Sequence, residues 1–242
     1  TNVILYEGGV PVYVDVDPVT GNIDPLQVAQ AIDDLKAGGK QAQRWLPRTG
    51  ARTDAPIKAI LGVDVFGQPA DFDALKYTAD AHGLKVINDS CESLGAEYKG
   101  TKAGLLGDYG VFAFYPNKQI TTGEGGVIVT NDDHAADMMR ALRNQGRAPG
   151  DTWLQHTYLG YNYRMTELSA ALGLIQMQRI EELLVKRQRV ADWYAERLAE
   201  IPWVEPPQLV PSTTRVSWFV YVIRLSQGIN RDIFAEALSR KG

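Results

Sequence analysis

Lys118 stands between two apolar runs of the chain, residues 111–115 before it and residues 127–129 after it. We expect both runs to form buried strands, so that the lysine emerges at one end of a sheet. A lysine kept at such a position is partly desolvated, which favours its neutral, nucleophilic form. Lys118 is therefore a candidate for Schiff-base chemistry. The alternative is a lysine that simply ends a strand and extends its amine into water.

A carboxylate is expected at the same edge of the sheet. Asp89 follows the apolar residues Val86 and Ile87 and precedes the polar run 90–95. An amine and an acid at neighbouring strand ends suit a cofactor with two complementary ends. Pyridoxal phosphate (PLP) fits, because the lysine would bind its aldehyde while the acid would keep its pyridine nitrogen protonated. From these two residues alone, an Asp that caps a turn and a Lys on the surface remain an equal alternative.

Strand and helix patterns alternate through the first part of the chain. Helices are predicted to start at Asp24, where Gln27 completes a capping box, and at Asp71, whose helix ends before Gly83. This alternation predicts an α/β fold whose mostly parallel sheet lies between helices, with sites beyond the carboxyl ends of its strands. The predicted strands are residues 10–16, 59–65 and 85–87.

The composition favours a globular protein that acts on small molecules. The 242 residues are 45% hydrophobic and 22% charged, and the formal net charge is -4. This charge gives no overall attraction to nucleic acid or to an anionic membrane. The single cysteine excludes an internal disulfide, and three separated histidines provide no metal-ligand cluster, so no metal is expected. No apolar stretch approaches the roughly 20 residues that span a bilayer, and a cytoplasmic location is expected.

Three parts of the chain are predicted. Residues 1–165 would form a large cofactor-binding domain, residues 166–200 a long inter-domain helix, and residues 201–242 the start of a smaller α+β domain. The inter-domain helix is predicted from an apolar stripe that we expect to lie in a core, namely Leu168, Leu172, Ile175 and Met177.

Two further segments complete this description. Residues 216–225 are predicted to form a strand, which a helix capped by Asn230 follows. Residues 36–56 are rich in Lys and Arg, and we interpret them as a surface excursion, with an approach to substrate phosphates as the weaker alternative.

Five segments occur in a characteristic order: PVYVDVDP at 11–18, FGQPAD at 66–71, Asp89 with LGA at 94–96, NKQITTGEGG at 117–126 and GYNYRMTE at 160–167. Together they resemble the DegT/DnrJ/StrS-type nucleotide-sugar aminotransferases. That family has the large domain of the PLP-dependent transferases of fold type I, the aspartate-aminotransferase fold. The resemblance covers nearly the whole chain except residues 36–56, which are longer than the usual connection. It also implies a fragment that lacks both ends, including a phosphate-binding segment expected before Thr1.

The resemblance implies roles for five residues. Lys118 would be the Schiff-base lysine, and Asp89 the partner of the pyridine nitrogen. Glu92 occupies a cofactor-near position where relatives usually carry Gln or His, so a carboxylate there would need a partner or a proton. Asn162 would reach the cofactor phosphate of a second subunit, which implies a homodimer with shared sites. Arg164 would lie on the substrate side.

The implied activity is transfer of an amino group from an amino acid, glutamate by family analogy, to a nucleotide-linked keto-deoxysugar. Such a product would enter polysaccharide or glycosylated natural-product biosynthesis. Two alternatives stay open at this point. One is a non-catalytic regulatory or interaction homologue of the same fold, which Glu92 and Ala113 favour, since relatives carry a phosphate-binding serine where this chain has Ala113. The other is a related sugar dehydratase, in which histidine replaces the lysine.

Overall fold

The computed structural model describes residues 2–49 and 55–241. Its architecture is α/β, as the alternating patterns predict, with helices packed on a mostly parallel sheet. The helices are α1 (Asn2–Tyr6), α2 (Pro25–Ala37), α3 (Gly39–Gln43), α4 (Phe72–His82), α5 (Asp133–Arg143), α6 (Glu167–Gln178), α7 (Ile180–Leu198) and α8 (Arg231–Ser239). The strands are β1 (Ala59–Val63), β2 (Lys85–Asp89), β3 (Glu97–Tyr98), β4 (Thr101–Lys102), β5 (Tyr109–Ala113), β6 (Gly126–Thr130), β7 (Val204–Glu205), β8 (Thr213–Arg215) and β9 (Arg224–Leu225).

The central sheet has the strand order β1-β2-β5-β6. The first three strands are parallel, and β6 pairs antiparallel to β5. Val63 lies opposite Asp89, and Asp89 lies opposite Val111, so the carboxyl ends of β1, β2 and β5 are nearly level. Residues that follow these three strands therefore meet at one edge of the sheet.

Helix α4 connects β1 to β2 and supplies much of the core. Its Leu75 and Ala79 are fully buried and pack in one cluster with Ile60 of β1 and Val86 of β2. Both ends of α4 follow the prediction. The Asp71 side chain accepts a hydrogen bond from the Ala74 amide, and Gly83 closes the helix in the left-handed conformation.

Asp64 follows β1 and is completely buried. Its Oδ2 accepts hydrogen bonds from Asn88 Nδ2 (2.9 Å), Ser90 Oγ (2.8 Å) and Ser93 Oγ (2.7 Å), while its Oδ1 accepts from the Ala70 amide (3.1 Å). Burial raises the pKa of this carboxyl, and the four donors oppose that shift. The network ties the end of β1 to the turn at 90–93, which follows β2.

Two predicted strands are wrong. Residues 10–16 make only an isolated bridge, Val16 to Ile23, because no neighbouring strand among the described residues pairs with them. Residues 216–225 contain only the short β9 at their end, since Trp218 has a φ of 49° and breaks the extended chain. The capping box at α2 is also half wrong. Asp24 caps the helix, but Gln27 Oε1 accepts from the Asp15 amide instead.

The helical stretch predicted over 166–200 is present as two helices. Arg179, with φ -104° and ψ 6°, separates α6 from α7. Thr166 caps α6 by accepting a hydrogen bond from the Ser169 amide. The expected burial of the α6 stripe is wrong, since no residue of α6 is buried and Leu168 is 86% exposed. The strand β6 is likewise more exposed than expected, with Ile128 at 51%.

The basic segment that starts at Lys36 contains the short helix α3. Arg44 and Trp45 both donate to the Asp34 carboxylate of α2, at 2.5 and 2.8 Å, which fastens the beginning of this excursion to α2. Residues 50–54 of the predicted excursion lie outside the described residues. None of the helices in the described part of the chain is long and apolar enough to cross a membrane.

Candidate active site

The sheet edge described above brings Lys118 and Asp89 to one site. Lys118 lies in the loop between β5 and β6, which is held by hydrogen bonds from the Phe114 amide to the Gly125 carbonyl (2.8 Å) and from the Thr122 amide to the Phe114 carbonyl (2.9 Å). This closed loop turns the lysine back toward the sheet, so only 15% of its side chain is exposed. An amine enclosed in this way is suited to chemistry rather than to solvation.

Glu92 is the ionic partner of Lys118. Its Oε1 lies 3.5 Å from the Lys118 Nζ, and its Oε2 accepts a hydrogen bond from the Phe66 amide at 3.0 Å. The carbonyl oxygen of Glu92 accepts two more, from Gln119 Nε2 and from Ser217 Oγ. The Glu92 carboxylate thus has two partners, the Lys118 amine and the Phe66 amide, as a negative charge at this position requires.

Asp89 is the last residue of β2 and precedes the turn that carries Glu92. Its Oδ1 accepts a hydrogen bond from the Cys91 amide at 3.1 Å. The thiol of Cys91 is half-buried and lies 3.7 Å from the Val111 carbonyl oxygen of β5. Burial, followed by a hydrogen bond to Asp89, raises the pKa of Cys91 to about 12, while the Lys118 charge acts in the opposite direction. The thiol thus remains protonated at neutral pH.

Asn162 and Arg164 belong to a second cluster, at the end of α5. Asn162 forms an isolated antiparallel bridge with Asn144, and Arg164 Nη1 donates to the Asn144 Oδ1 at 2.8 Å. The rings of Tyr161 and Tyr163 stack with their centroids 4.7 Å apart and are largely exposed. The single chain does not join this cluster to Lys118 by any hydrogen bond or ion pair among its described residues.

Three contacts of the site escaped the sequence analysis. The ring of Phe219 lies with its centroid 4.4 Å from the Lys118 Nζ. Ser217 accepts a hydrogen bond from Gln119 Nε2 at 2.8 Å, across 98 residues of sequence. The backbone of Phe66 has a φ of 63° and directs its amide to Glu92. Of these three contacts, only the one made by Phe66 lies in a segment that the sequence analysis had singled out, the FGQPAD motif.

Next to this site lies a mainly apolar groove. It is lined by the turn at Val19 and Thr20, by residues 206–209, and by Phe66 and Trp218. The amide of Phe66 also donates to Glu92, the ionic partner of Lys118. Arg224 closes one part of the groove by donating to the Val19 carbonyl at 2.8 Å. The lysine itself is outside the groove lining.

Comparison with known proteins gives the family. The model of the DegT/DnrJ/EryC1/StrS aminotransferase family matches residues 1–242. The chain belongs to this family. GDP-perosamine synthase of Caulobacter vibrioides is 40% identical over 230 residues, which are 95% of this chain and 56% of the relative. The putative pyridoxal phosphate-dependent aminotransferase EpsN of Bacillus subtilis is 36% identical over 203 residues, 84% of this chain and 48% of the relative.

A solved structure confirms the fold of this DegT/DnrJ/EryC1/StrS chain. The crystal structure of a DegT DnrJ EryC1 StrS aminotransferase from Brucella abortus superposes with a TM-score of 0.86 at 30% identity. It covers 100% of this chain and 59% of the other. The chain thus spans between about half and three fifths of the length of these relatives.

The residues of the site fit PLP. The group needs an amine for its aldehyde and an acid for its pyridine nitrogen, and Lys118 and Asp89 provide both at one sheet edge. The site also contains a buried acceptor, the Oε1 of Gln119, next in sequence to the lysine, which has no hydrogen-bond partner among the described residues. An orphaned polar atom beside an enclosed amine is the kind of group that a ligand completes.

Proposed function

We propose that this chain is part of a PLP-dependent aminotransferase that moves an amino group from an amino acid, with glutamate as the first candidate, to a keto-deoxysugar linked to a nucleotide. The observation that carries the proposal is the enclosed Lys118 amine, held by Glu92 at the strand edge that also bears Asp89, in a member of this family. The presence of lysine at this position disfavours the dehydratase alternative.

The proposed division of work follows from the chemistry of the side chains. When bound, PLP would accept the electrons released at the α-carbon of the amino donor. Lys118 would bind the cofactor aldehyde and, once free, hold the proton that leaves the donor α-carbon. Asp89 would keep the pyridine nitrogen protonated through its charge. Glu92 would orient the Lys118 amine by its ion pair.

The proposed substrate class rests on the relatives. The name of the Caulobacter relative specifies a GDP-linked amino sugar, and another match, "Spore coat polysaccharide biosynthesis protein SpsC" of Bacillus subtilis, is 31% identical over 249 residues. A role in polysaccharide or natural-product sugar biosynthesis is consistent with both. Arg164, an exposed cation, is our candidate for contacting the charged part of the substrate. A cytoplasmic location is also part of the proposal, because the single cysteine fits a reducing compartment.

We also propose a homodimer that shares its active sites. Helix α6 presents several apolar side chains that the rest of the described chain leaves exposed, including Leu168 (86% exposed), Leu174 (60% exposed) and Ile175 (56% exposed). A second copy of the chain would bury this group of neighbouring apolar side chains. Asn162 is exposed on the neighbouring segment, and we assign it to the cofactor phosphate of the other subunit.

The activity test uses the full-length protein with L-glutamate, PLP and a panel of GDP- and TDP-linked 4-keto-6-deoxysugars, with the amino-sugar product detected by mass spectrometry. Lys118→Ala should abolish the product. Lys76→Ala is the matched control, since Lys76 is exposed and pairs only weakly with Asp80 at 3.8 Å. Undiminished turnover in the Lys118 variant would contradict the assignment.

Mixed dimers test the shared site. When subunits carrying Lys118→Ala are co-expressed with subunits carrying Asn162→Ala, each heterodimer contains one intact site if Asn162 acts across the interface. Random assembly would then restore about a quarter of the wild-type activity, whereas each single variant alone has little. No restoration in verified heterodimers would place Asn162 in its own subunit's site, and full activity of Asn162→Ala alone would place it outside both sites.

A further inference from the structure

The segment Ser217–Phe219 comes from the last part of the chain but lies against the Lys118 loop. The Ser217 amide donates to the Gly67 carbonyl at 3.1 Å, and its Oγ donates to the Glu92 carbonyl at 3.1 Å. Gln119 Nε2 donates in turn to the Ser217 Oγ at 2.8 Å. Ser217 is 1% exposed, so these contacts are enclosed. The segment is therefore fixed to three separate parts of the large domain.

Helix α7 holds the same segment from the other side. Arg187 Nη1 donates to the carbonyl oxygens of Trp218 (2.8 Å) and Phe219 (3.3 Å). The indole of Trp218 donates to Gln188 Oε1 at 2.8 Å. A charged donor on two carbonyls is a strong anchor. Residues 217–219 are thus held between a turn of the large domain and α7, with the Phe219 ring directed at the lysine.

Because Gly67 has no side chain, residues 217–219 can pack closely against its backbone. A Cβ at this position would lie 2.8 Å from the Ser217 Oγ and 3.0 Å from the backbone nitrogens of both Trp218 and Phe219. Two of these neighbours are backbone atoms and cannot move without moving the segment. Any side chain at residue 67 would therefore push residues 217–219 away from the site.

We propose that Phe219 is an active-site residue that covers the free amine of Lys118, and that Gly67 and Arg187 are positioning residues that seat it. The inference rests on the proposed function, in which Lys118 must wait as a free amine while the substrate reacts. The ring face attracts an ammonium and excludes water and other small molecules from that side. Together with Glu92, the ring keeps the amine in one place during this part of the cycle.

The first test measures the reactivity of the amine without any cofactor. The PLP-free full-length protein is treated briefly with formaldehyde and cyanoborohydride, and methylation of Lys118 is measured by peptide mass spectrometry relative to the exposed Lys76. Phe219→Ala should raise this ratio about 3- to 10-fold, the range expected for loss of a cation–π contact together with its cover. Phe219→Leu, which keeps most of the bulk, should raise it less. An unchanged ratio in the folded Phe219→Ala protein would overturn the proposal.

The second test asks whether Gly67 seats the ring. Gly67→Ala should raise the Lys118 ratio in the same direction as Phe219→Ala. The matched control is Gly228→Ala, because Gly228 has a φ of 96°, close to the 94° of Gly67, but no atom of the described residues lies within 4 Å of its Cβ position. Equal ratios in the two glycine variants would refute the positioning role. Circular dichroism and thermal unfolding verify folding, and Phe219→Leu carries the test if the alanine variant does not fold.

Kinetics separate this inference from the proposed function. In the amino-donor half of the reaction, Phe219→Ala should lower kcat more than it raises KM, since the contact that the ring makes is with the Lys118 amine that moves the proton. An effect confined to KM would count against the proposal. If the wild-type protein attaches no PLP to Lys118, the proposed function fails, whereas altered methylation ratios would still establish that Phe219 covers the amine.

Discussion

Replacing Asp64 by alanine tests the network that shapes the site. Asp64 is completely buried and its carboxylate receives four hydrogen bonds, from Ala70, Asn88, Ser90 and Ser93. These bonds join the end of β1 to the turn that carries Glu92. Asp64→Ala removes every acceptor at once and leaves the four donors facing a small apolar group.

The expected loss can be estimated from the four donors. The hydroxyls of Ser90 and Ser93 can rotate toward other acceptors, whereas the Ala70 amide and the Asn88 side chain are fixed by their surroundings. An unsatisfied buried donor costs about 1–3 kcal/mol, so the two fixed donors set a loss of about 2–6 kcal/mol. Burial of the carboxylate is itself unfavourable, as its raised pKa indicates, and removing it offsets part of the loss. We expect a net decrease of about 3 kcal/mol in the free energy of unfolding.

Urea unfolding of the full-length protein, followed by circular dichroism, measures this decrease. The control is Asp80→Ala, which removes an aspartate that is 69% exposed and should change stability by no more than about 0.5 kcal/mol. A loss below about 1 kcal/mol for Asp64→Ala, with an unchanged dependence on urea, would refute the reasoning that the network is an important part of this edge of the fold.

The pH dependence gives an independent check of the same residue. Because burial raises the folded-state pKa of Asp64 above its unfolded value, its protonation contributes stability that is fully present below about pH 4. That contribution is lost as the pH rises through the folded pKa. The stability of the wild-type protein relative to Asp64→Asn should therefore decrease as the pH is raised from about 4. A relative stability that rises over this range would contradict the sign.

Two other predictions concern single side chains. Cys91, whose thiol pKa is raised to about 12 by burial first and by Asp89 second, should react with iodoacetamide at pH 8 far more slowly than the same cysteine in urea, and equal rates would refute its enclosure. Asp71 caps α4 and also accepts a hydrogen bond from the Tyr98 hydroxyl at 2.9 Å, so Asp71→Ala should cost about 1–2 kcal/mol in urea unfolding, while a loss under about 0.5 kcal/mol would show that neither contact matters.

The sequence predicted correctly those helix ends that are determined by residues close to one another in the chain. Asp71 and Gly83 mark the ends of α4 because side-chain caps and left-handed glycines act within a few residues. The positions of Asp89 and Lys118 also followed, since both come directly after strands whose ends share one edge of a sheet. The proposed division into a large domain, an inter-domain stretch and a smaller domain stays a prediction.

Contacts between distant segments could not be predicted in this way. Phe219 contacts Lys118 although it lies far from it in sequence, in a segment that Arg187 holds by hydrogen bonds, and no pattern in residues 216–225 indicates this contact. The same limit explains why the burial of the apolar stripe of α6 was predicted wrongly. Its spacing specifies an apolar face, but not whether that face meets this chain or another one, and in this chain Leu168 is exposed.

Identifying the lysine to which PLP attaches is the most direct test of the role proposed for Lys118. The full-length protein is incubated with PLP, freed of excess, reduced with borohydride and digested, and the labelled lysine is identified by mass spectrometry beside Lys118→Ala. We expect a PLP mass on Lys118, and no label at any site in the variant. A PLP label on another lysine, or none in the wild-type protein, would contradict the assignment of Lys118 as the cofactor-binding residue of an aminotransferase.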